Sequence, residues 1–534
     1  MTDLGAVVRQ WIEDDPDPAT QAELRDLDES DLASRFAGAL TFGTAGLRGP
    51  VQAGPSGMNV AVVTRATHGV AQYLSRHHVP GSEVVVGRDA RHGSAEFAVA
   101  AAEVLAAAGF RVTLLPDPAP TPVLAFATRS RGAVAGIQVT ASHNPAADNG
   151  YKVYLDGGAQ LVSPADREIE EFIRQAPGAS SIARTPVAPT SDPVITQYLD
   201  RVAQRVPERP SHAGLRIALT PMHGVGGPVA VEALRSSGFT DVHTVTSQFD
   251  ADPDFPTVTF PNPEEPGAAD QVLALAAEVD AALAIALDPD ADRCAIGVRG
   301  PNGVRMLTGD ETGAVIADRI LRSAPAGSLV ASTIVSSSLL SALAPARGAR
   351  YRRTLTGFKW LVRAGDGLVY AYEEAIGHCV DPDAVRDKDG ISAAVLLAHI
   401  AADLAEEGRT ILDVLDDLDR EFGARVGTQV SRRVTDLSEI GDMMTRLRSA
   451  PPTTLAGATV TVRDLNTPDT ELRTDAVELT SERFRVIVRP SGTEPKLKAY
   501  LEVVEPVATA EDLAPARTRA ADTLESLADF ARSL

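Results

Sequence analysis

The chain is poor in cysteine, with only two such residues among 534. These are Cys294 and Cys379, and neither belongs to a Cys-x-x-Cys pair. Two isolated cysteines exclude a zinc ribbon and a disulfide framework. The composition is typical of a thiol-tolerant setting, and we predict a cytoplasmic protein.

The sequence also lacks an apolar leader and an apolar run suited to a membrane. The stretch Met1–Ile12 carries Asp3 and Arg9 and has no hydrophobic core of a signal peptide. The uncharged stretch Ser323–Ala346 is interrupted by prolines, a glycine and a run of three serines. It is too polar to span a bilayer, so we expect a buried strand and the start of a helix there.

Positive charge is in deficit, because 50 Lys and Arg face 72 Asp and Glu and the formal net charge is −22. A surface of this sign repels nucleic acid and anionic membranes, so we predict neither as a partner. An anionic substrate would need a cationic island within this acidic body. Arginines and lysines in glycine-rich loops are therefore the informative residues, while the oligomeric state stays open.

The length suggests about three to four domains, at roughly 150 residues per domain. Runs of β-branched residues alternate with Ala/Leu-rich helical runs, as in strand Val84–Val86, helix Ala95–Ala108 and strand Arg111–Leu115. A repeat of 20–50 residues is missing, which excludes solenoids and propellers. The alternation predicts an α/β protein: three tandem α/β domains with mixed, largely parallel sheets, and a C-terminal α+β domain.

Breaks in this pattern suggest three domain boundaries. They lie near Pro207–Pro210, at the turn Gly300–Gly303, and near Gly423–Gly427 after the amphipathic helix Ile411–Phe422. The predicted domains are residues 1–207, 208–302, 303–426 and 427–534.

The first candidate site loop is Thr140–Pro145, which follows the apolar strand Ala135–Val139. A serine at a strand end among polar groups, here Ser142, fits a nucleophile. The alternative is an ordinary Ser/Asn turn before proline.

The second loop, Asp288–Arg293, follows the apolar strand Ala281–Leu287 and carries three aspartates. Pro289 favours an extended conformation for Asp288, and alternate side chains would then point the same way. Converging carboxylates repel one another unless a cation neutralises them, and hard oxygen ligands suit Mg²⁺. A solvated acidic turn is the alternative, which the preceding apolar strand disfavours.

The third loop is Glu373–His378, after the strand Leu368–Tyr372. Two adjacent carboxylates can accept hydrogen bonds from the hydroxyls of a polyol. A surface Glu pair at a helix start is the alternative, and His378 by itself is more often structural than functional.

The fourth loop, Arg489–Lys496, lies between two predicted strands and combines an arginine, two hydroxyls and a lysine with successive backbone N–H groups. This combination favours a phosphate cradle over a plain hairpin turn. A fifth segment, Phe42–Gly49, has three glycines and Arg48, and is either an anion-approach loop or a flexible connector.

These five segments, in this order, resemble the α-D-phosphohexomutase superfamily, which includes phosphoglucomutases and phosphomannomutases. The resemblance extends from Phe42 to Tyr500, and the four later loops are similar to the phosphoserine, metal, sugar and phosphate loops of that superfamily. Thr356–Trp360 and Lys388–Gly390 further resemble a branch with phosphopentomutase-like and glucose-bisphosphate-forming members. The resemblance implies four domains around one central cleft.

The resemblance also implies a role for each motif residue. Ser142 would be the phosphorylated serine, and its phosphate oxygen would complete a Mg²⁺ site on Asp288, Asp290 and Asp292. Positions around the reacting phosphoryl group would be Arg48, His143, Lys152 and Arg293. Lys152 is the candidate acid/base, which would require a pKa depressed by desolvation and neighbouring cations. Substrate-binding positions would be Thr356, Gly357, Lys359, Glu373, Glu374, His378, Arg489, Ser491, Gly492, Thr493 and Lys496.

The implied reaction moves phosphate between C1 and C6 of a hexose phosphate, glucose or mannose. It would pass through a phosphoserine and a bisphosphorylated sugar, with Mg²⁺ and a bisphosphate of the glucose 1,6-bisphosphate type as activator. Ala375-Ile376 departs from the hydroxyl-bearing sugar loop of many hexose-specific members, and Ile376 cannot hydrogen-bond through its side chain. A phosphopentomutase or a glucose 1,6-bisphosphate-forming enzyme is therefore an alternative.

Two further classes fit less well. A phosphatase would leave Arg489–Lys496 without a role. A sugar-phosphate-binding protein would not explain a metal loop beside a serine loop.

Overall fold

Strands and helices alternate through the first part of the chain, as the sequence predicts. The computed structural model describes residues 4–41, 46–155, 157–191, 193–205, 214–301, 303–434, 436, 438–468, 470–491 and 496–534. The elements up to residue 205 are α1 (Leu4–Asp14), α2 (Pro18–Asp26), α3 (Glu29–Arg35), β1 (Leu47–Pro50), α4 (Val60–His77), β2 (Glu83–Arg88), α5 (Ser94–Ala107), β3 (Arg111–Leu114), α6 (Thr121–Ser130), β4 (Ala135–Val139), β5 (Asp148–Leu155), β6 (Ala159–Gln160), α7 (Ala165–Arg174) and α8 (Val194–Gln204).

The first sheet has the strand order β1-β5-β4-β2-β3, with β6 beside β5. Strand β2 pairs in parallel with β3 and β4, while β5 is antiparallel to β1, β4 and β6. Fully buried residues such as Val84, Val86 and Ile137 form its core together with apolar residues of α4 and α5. The loops after β2 and β4 consequently leave the same edge of the sheet.

A second sheet follows, with the order β11-β10-β9-β7-β8. Its elements are β7 (Ile217–Thr220), α9 (Gly227–Ser236), β8 (Val242–Thr244), α10 (Thr246–Phe249), α11 (Asp270–Glu278), β9 (Leu283–Leu287), β10 (Cys294–Gly300) and β11 (Gly303–Met306). Strand β7 is parallel to β8 and β9, whereas β10 is antiparallel to β9 and β11. The short loop between β9 and β10 therefore reverses the chain at the carboxyl end of β9.

The next segment contains α12 (Gly309–Leu321), β12 (Leu329–Thr333), α13 (Leu339–Ala346), β13 (Arg350–Thr354), α14 (Phe358–Leu361), β14 (Leu368–Glu373), β15 (Gly377–Cys379), α15 (Gly390–Glu406) and α16 (Ile411–Phe422). Strands β12 and β13 are parallel, and β14 and β15 form an antiparallel hairpin. The uncharged stretch Ser323–Ala346 holds β12 and α13, as predicted.

The C-terminal part is an antiparallel sheet of order β16-β22-β21-β20-β19. Its elements, with a small separate hairpin, are β16 (Ala424–Arg433), α17 (Ser438–Ser449), β17 (Thr454–Leu455), β18 (Ala458–Thr459), β19 (Thr461–Asp464), β20 (Val477–Thr480), β21 (Phe484–Pro490), β22 (Lys496–Glu505) and α18 (Leu513–Ser533). Helices α17 and α18 contribute Met444, Leu447 and Leu527 to a core with Val486 and Leu501.

The chain divides into two compact units. Unit 1 contains the residues up to Gly309 together with Tyr370–Asp403, and unit 2 contains Asp310–Val369 and Leu404–Leu534. Unit 1 is therefore assembled from two separate stretches of sequence.

The predicted fold class is confirmed, since mixed sheets with helices are followed by a C-terminal α+β part. The predicted strand Thr459–Val462 is divided between β18 and β19. The predicted boundary at Pro207–Pro210 lies outside the described residues. Among the helices that the structure describes, none has the length and apolar character needed to cross a bilayer.

Candidate active site

Ser142 lies in the loop that follows β4, at the carboxyl end of a central strand of the first sheet. Its φ of +53° is in the left-handed region, which is uncommon for serine. Its N–H donates to Thr140 Oγ1 at 2.9 Å, and the N–H of Asn144 donates to the Ala141 carbonyl at 3.1 Å. Internal hydrogen bonds thus hold a strained loop, a feature that is common at functional sites.

Arg91 holds the same loop from the segment after β2. Its Nη2 donates to the carbonyls of Ser142 at 2.7 Å and Asn144 at 2.6 Å. Its Nη1 donates to the carbonyls of Pro145 at 2.8 Å and Asp148 at 3.1 Å. The planar fork of one guanidinium therefore satisfies four backbone acceptors.

Asp288, Asp290 and Asp292 occupy the loop between β9 and β10. The N–H of Ala291 donates to the Asp288 carbonyl at 2.8 Å, and Ala291 has a φ of +55°. The loop is thus a tight turn, and the expected extended run with alternating side chains is wrong. The carboxylates nevertheless converge: one oxygen of each lies within 4.8 Å of the others, and all three side chains are fully buried.

The serine loop and the aspartate loop meet in unit 1. Ser142 Oγ donates a hydrogen bond to Asp288 Oδ2 at 2.8 Å. Ser142 is 2% exposed and Asp288 is 0% exposed. Both loops lie beyond strand carboxyl ends, which is where open α/β sheets place their ligands.

Two buried lysines contact the aspartate loop. Lys152, from β5, places its Nζ 2.7 Å from Asp290 Oδ2 and 2.8 Å from Asp292 Oδ2. Lys388 places its Nζ 3.2 Å from Asp292 Oδ2. Thr121 Oγ1 also donates to Asp290 Oδ2, at 2.6 Å. Positive charge and hydrogen bonds therefore offset the repulsion among the carboxylates.

These contacts determine the pKa values of the cluster. Burial, and then the charges of Asp290 and Asp292, raise the pKa of Asp288 well above its ordinary value. Burial acts on Asp290 in the same direction, but Lys152 outweighs it and the pKa of Asp290 is lowered.

The pKa of Lys152 is shifted away from the direction that an acid/base role would require. Burial lowers its pKa, but the carboxylates of Asp290 and Asp292 outweigh burial, so the pKa of Lys152 is raised. The shift is upward because two carboxylates contact the ammonium directly. The role of Lys152 as the acid/base stays a prediction.

Arg293 links the aspartate loop to the predicted sugar loop. Its backbone N–H donates to Asp288 Oδ1 at 3.0 Å. Its Nη1 donates to the Ala375 carbonyl at 3.0 Å, and its Nη2 lies 3.3 Å from Glu373 Oε1. Burial opposes the charged form, but the Glu373 carboxylate and the aspartates outweigh it and raise the pKa of Arg293.

The predicted sugar loop, Glu373–His378, is the hairpin turn between β14 and β15 rather than a helix start. Ile376 has a φ of +52° and packs into the core of the second sheet, whereas Glu374 is half-buried. His378 is fully buried, with Nδ1 3.0 Å from the Tyr370 hydroxyl. Its role in substrate binding stays a prediction.

Arg48 lies beside the serine loop, and His143 belongs to it. Arg48 Nη1 donates to Asn144 Oδ1 at 3.2 Å, while its buried Nε donates to no described residue. His143 Nδ1 lies 3.5 Å from Ser142 Oγ. Burial, with the charges of Arg293 and Arg48, holds the pKa of His143 well below its ordinary value, so the imidazole is neutral.

The remaining predicted substrate-binding residues belong to unit 2. The N–H of Ser491 donates to the Lys496 carbonyl at 2.8 Å, which closes the predicted phosphate loop between β21 and β22. The buried Nε of Arg489 donates no hydrogen bond to a described residue, and its role in phosphate binding stays a prediction. Gly492 and Thr493 lie outside the described residues.

Thr356, Gly357 and Lys359 surround the start of α14, also in unit 2. Gly357 has a φ of +105°, and Lys359 Nζ lies 5.9 Å from the centre of the Trp360 ring. Residues 42–45, the first half of the fifth predicted segment, lie outside the described part of the chain.

Three residues that contact the site were missed by the sequence analysis. Arg91 follows strand β2, and its place at the same sheet edge as Ser142 could have indicated it. Lys388 lies in a Lys-Asp-Gly triplet that was noted but not assigned to the site. Thr121 begins α6 and carries no local sequence signal.

The aspartate loop fits a divalent cation. The buried Oδ1 atoms of Asp290 and Asp292 accept no hydrogen bond from any described residue. The three converging carboxylates therefore offer the hard oxygen ligands that Mg²⁺ prefers.

Taken together, tandem α/β sheets, a buried serine on an aspartate triplet and surrounding arginines define an enzyme of phosphoryl transfer. Four family models match the chain in order. They are the phosphoglucomutase/phosphomannomutase α/β/α domain I over residues 39–178, domain II over 196–301, domain III over 308–422 and the C-terminal domain over 432–520. The chain belongs to this family, within the α-D-phosphohexomutase superfamily, and is an isomerase of the intramolecular phosphotransferase type.

Individual relatives carry different substrate names. A Haemophilus influenzae protein named "Probable phosphomannomutase" is 42% identical, with 84% of this chain and 93% of the relative covered. A mouse phosphopentomutase is 33% identical, covering 93% and 90%. A Staphylococcus epidermidis phosphoglucomutase is 33% identical, covering 87% and 90%. The Paramecium phosphoglucomutase parafusin, solved in an open form, shares the fold with a TM-score of 0.71 at 19% identity, covering 92% and 95%.

Proposed function

We propose that this chain moves phosphate between C1 and C6 of a hexose phosphate, glucose or mannose, through phosphorylated Ser142 and a bisphosphorylated sugar. A sugar bisphosphate of the glucose 1,6-bisphosphate type would be the activator. The observation that carries the proposal is the 2.8 Å contact between Ser142 Oγ and Asp288 Oδ2 within a buried aspartate triplet. A hydroxyl held against a cation site is the arrangement that phosphoryl transfer to serine requires.

In the first half-reaction, the free sugar hydroxyl attacks the phosphorus of phosphorylated Ser142. The sugar O–P bond forms as the Oγ–P bond breaks, the hydroxyl proton leaves to a base, and Oγ gains a proton. In the second half-reaction, Ser142 Oγ attacks the other phosphate of the sugar, so the Oγ–P bond forms as that sugar O–P bond breaks, Oγ loses its proton and the sugar oxygen gains one. Lys152 is the proposed acid/base, because its Nζ lies 2.7 Å from Asp290 Oδ2 and 2.8 Å from Asp292 Oδ2, in the loop whose Asp288 contacts Ser142.

The transferring phosphoryl group carries dispersed negative charge. Arg48, His143 and Arg293 lie around the serine and aspartate loops, and the two arginines supply positive charge there. Asp288, Asp290 and Asp292 would hold Mg²⁺. When bound, the ion supplies further positive charge for the phosphoryl oxygens.

The non-reacting phosphate needs a separate hold. We assign this role to Arg489, Ser491, Gly492, Thr493 and Lys496. Binding of the remote phosphate there would position the reacting end of the sugar. Thr356, Gly357, Lys359, Glu373, Glu374 and His378 are the proposed contacts to the rest of the sugar. In this proposal the four domains are residues 1–207, 208–302, 303–426 and 427–534.

A pentose phosphate is the second candidate substrate. A mouse phosphopentomutase is 33% identical, and the turn residues Ala375 and Ile376 offer no side-chain hydrogen bond to a sugar. Formation of glucose 1,6-bisphosphate is the related alternative for the same residues.

The test is kcat/KM for the 1-phosphates of glucose, mannose, ribose and deoxyribose, measured with glucose 1,6-bisphosphate and Mg²⁺. We expect one hexose to be preferred, because discrimination between substrates resides in this ratio. Preference for ribose or deoxyribose 1-phosphate would replace the hexose assignment by the pentose one.

The serine role is tested with Ser142→Ala and the control Ser75→Ala, whose hydroxyl donates to the Ala71 carbonyl within α4. Ser142→Ala should lose turnover on every substrate and take up no label from phosphate-labelled glucose 1,6-bisphosphate. The control should turn over and label like the wild type. Near-normal turnover of Ser142→Ala would exclude the phosphoserine, and release of inorganic phosphate in place of isomerisation would identify a phosphatase.

A further inference from the structure

Lys388 stands between two buried aspartates, each of which is held by a buried tyrosine. The Tyr154 hydroxyl donates to Asp387 Oδ2 at 2.7 Å. The Tyr198 hydroxyl donates to Asp389 Oδ1, also at 2.7 Å. Each of these four side chains is at most 3% exposed, so the backbone on both sides of Lys388 is fixed by buried hydrogen bonds.

Strand β5 connects this arrangement to the aspartate loop. Lys152 and Tyr154 are two residues apart on β5 and therefore lie on one face of the sheet. Lys152 contacts Asp292 itself, at 2.8 Å. Tyr154 reaches Asp387, whose neighbour Lys388 contacts the same Asp292 oxygen at 3.2 Å. One face of β5 thus carries Lys152 and, through the hydrogen bond of Tyr154 to Asp387, also contacts the neighbour of Lys388.

The ammonium of Lys388 is shared between two carboxylates. It lies 3.2 Å from Asp292 Oδ2 and 3.4 Å from Asp387 Oδ1. Asp387 also accepts hydrogen bonds from Tyr154 and from Gln160 Nε2, the latter at 2.6 Å. Because these donors offset the charge of Asp387, they weaken its hold on Lys388 and favour Asp292 as the partner.

We propose that Tyr154 is a positioning residue, which acts through Asp387 to keep the Lys388 ammonium on the aspartate loop. The consequence for activity rests on the proposed mutase function, because this loop lies beside Ser142. Without the Tyr154 hydroxyl, one fewer hydrogen bond offsets the Asp387 carboxylate, which then attracts the ammonium away from Asp292.

The first test measures metal affinity and needs no turnover. Mn²⁺ is titrated by calorimetry into the wild type, Tyr154→Phe, Lys388→Met and the double variant. An ammonium withdrawn from Asp292 no longer repels the cation, so Tyr154→Phe should bind Mn²⁺ about three- to tenfold more tightly. In the Lys388→Met background, Tyr154→Phe should alter the Mn²⁺ affinity by less than about 1.5-fold. The effects of two substitutions that act through one contact are not additive.

The second test is the same cycle in steady-state kinetics with the best sugar 1-phosphate. Tyr154→Phe should lower kcat about tenfold and leave KM within about twofold, because charge is lost from the reacting site and not from substrate binding. No further loss is expected when Lys388 is already Met.

Tyr151→Phe is the matched control. Tyr151 lies on the same strand, is also fully buried, and its hydroxyl lies 2.9 Å from Thr67 Oγ1. It packs in the core of the first sheet, so its variant should keep the wild-type Mn²⁺ affinity and kcat.

Equal effects of Tyr154→Phe with and without Lys388 would overturn the proposal. If Tyr154→Phe does not fold, Gln160→Met removes the second side-chain donor to Asp387 Oδ2 and should shift Mn²⁺ affinity in the same direction. A wild type with no mutase activity would defeat the proposed function, while the Mn²⁺ cycle would still decide the positioning role.

Discussion

Arg91 shows how one side chain can fix a catalytic loop. The carbonyls of Ser142 and Asn144 turn into the protein, where an unpaired acceptor is costly. The guanidinium of Arg91 reaches both of them, and also the carbonyls of Pro145 in the same loop and of Asp148 at the start of β5. The left-handed backbone of Ser142 is therefore maintained from outside the loop.

We predict that Arg91→Lys destabilises the protein by about 2–4 kcal/mol, because one ammonium cannot serve four carbonyls in this fork geometry. Displacement of the serine should also lower kcat by about 100-fold. Urea denaturation and steady-state kinetics measure the two effects.

The control for this change is Arg111→Lys, where the arginine is exposed and contacts Glu83 Oε2 at 2.8 Å. It should differ little from the wild type. If Arg91→Lys behaves like Arg111→Lys in both measurements, the loop does not depend on the guanidinium.

His378 gives the folded protein a pH dependence. Burial lowers its pKa to about 3, from an ordinary value of 6.5. Between these two pH values the imidazole is protonated in the unfolded chain and neutral in the folded chain. Its contribution to stability is complete above pH 6.5 and is lost as the pH falls toward 3. Between pH 7 and pH 5 the loss should be about 2 kcal/mol.

This prediction is checked by urea denaturation of the wild type and His378→Gln at pH 7 and pH 5. The variant has no imidazole to protonate, so the difference in stability between the two proteins should shrink by about 2 kcal/mol at the lower pH. Parallel pH profiles would contradict the assignment.

At the scale of elements, the start of α12 supports the hairpin turn between β14 and β15. A Cβ at Gly309 would lie 2.0 Å from the Glu374 carbonyl oxygen and 2.8 Å from Ile376 N. Only glycine allows this approach, so the helix start and the turn that carries Glu374 are packed backbone to backbone.

We predict that Gly309→Ala displaces the turn and raises KM for the sugar phosphate about tenfold, with a smaller effect on kcat. Gly441→Ala, within α17 and with open space around the added methyl group, is the control. It should leave kinetics unchanged and stabilise the protein by about 0.5–1 kcal/mol. An unchanged KM for Gly309→Ala would show that the turn adapts.

Local sequence signals predicted the elements well where they are unambiguous. Helix α16 has the predicted bounds, because Thr410 and Asp413 form a capping box at its start and Gly423 follows its end. The signal is weaker at Thr459–Val462, where two short strands adjoin. Strand β18 pairs with β17, whereas β19 pairs with β20. Periodicity alone does not show where along this stretch the partner strand changes.

The site was predicted in part for the same reason. The aspartate spacing indicated a cation site, but the turn at Ala291 that makes the carboxylates converge has no marker in the sequence. Lys388 contacts Asp292, 96 residues earlier in the chain, and such a contact follows from tertiary packing alone. The raised pKa of Lys152 likewise depends on which charges touch it.

For the whole molecule, the net charge of −22 contrasts with the cations collected in unit 1. Arg48, Lys152, Arg293 and Lys388 all lie at the serine and aspartate loops. These four cations balance the charges of Asp288, Asp290, Asp292 and Glu373, so the acidic excess of the whole chain does not extend to these loops.

Because the aspartate triplet lies in unit 1, Mg²⁺ should stabilise that unit selectively. At about 100 times its Kd, a ligand of the folded state adds about 2.7 kcal/mol. Hydrogen exchange should slow in peptides around β9 and β10 and stay unchanged in β21 and β22 of unit 2. A chelator should reverse the effect and abolish turnover.

Asp290→Asn is the control for metal binding and should show no slowing of exchange with Mg²⁺. Equal slowing in both units, or full activity in excess chelator, would contradict a metal site on the aspartate loop.

The two-part composition of unit 1 has a consequence for biosynthesis. Gly309 leaves the ribosome well before Asp403, and at about 5–20 residues per second the delay is roughly 5–20 s. During this interval the nascent first part carries Asp290 and Asp292 without the Lys388 ammonium, although Lys152 is already present. Unit 1 can therefore complete its fold only after residues 310–403 have been translated.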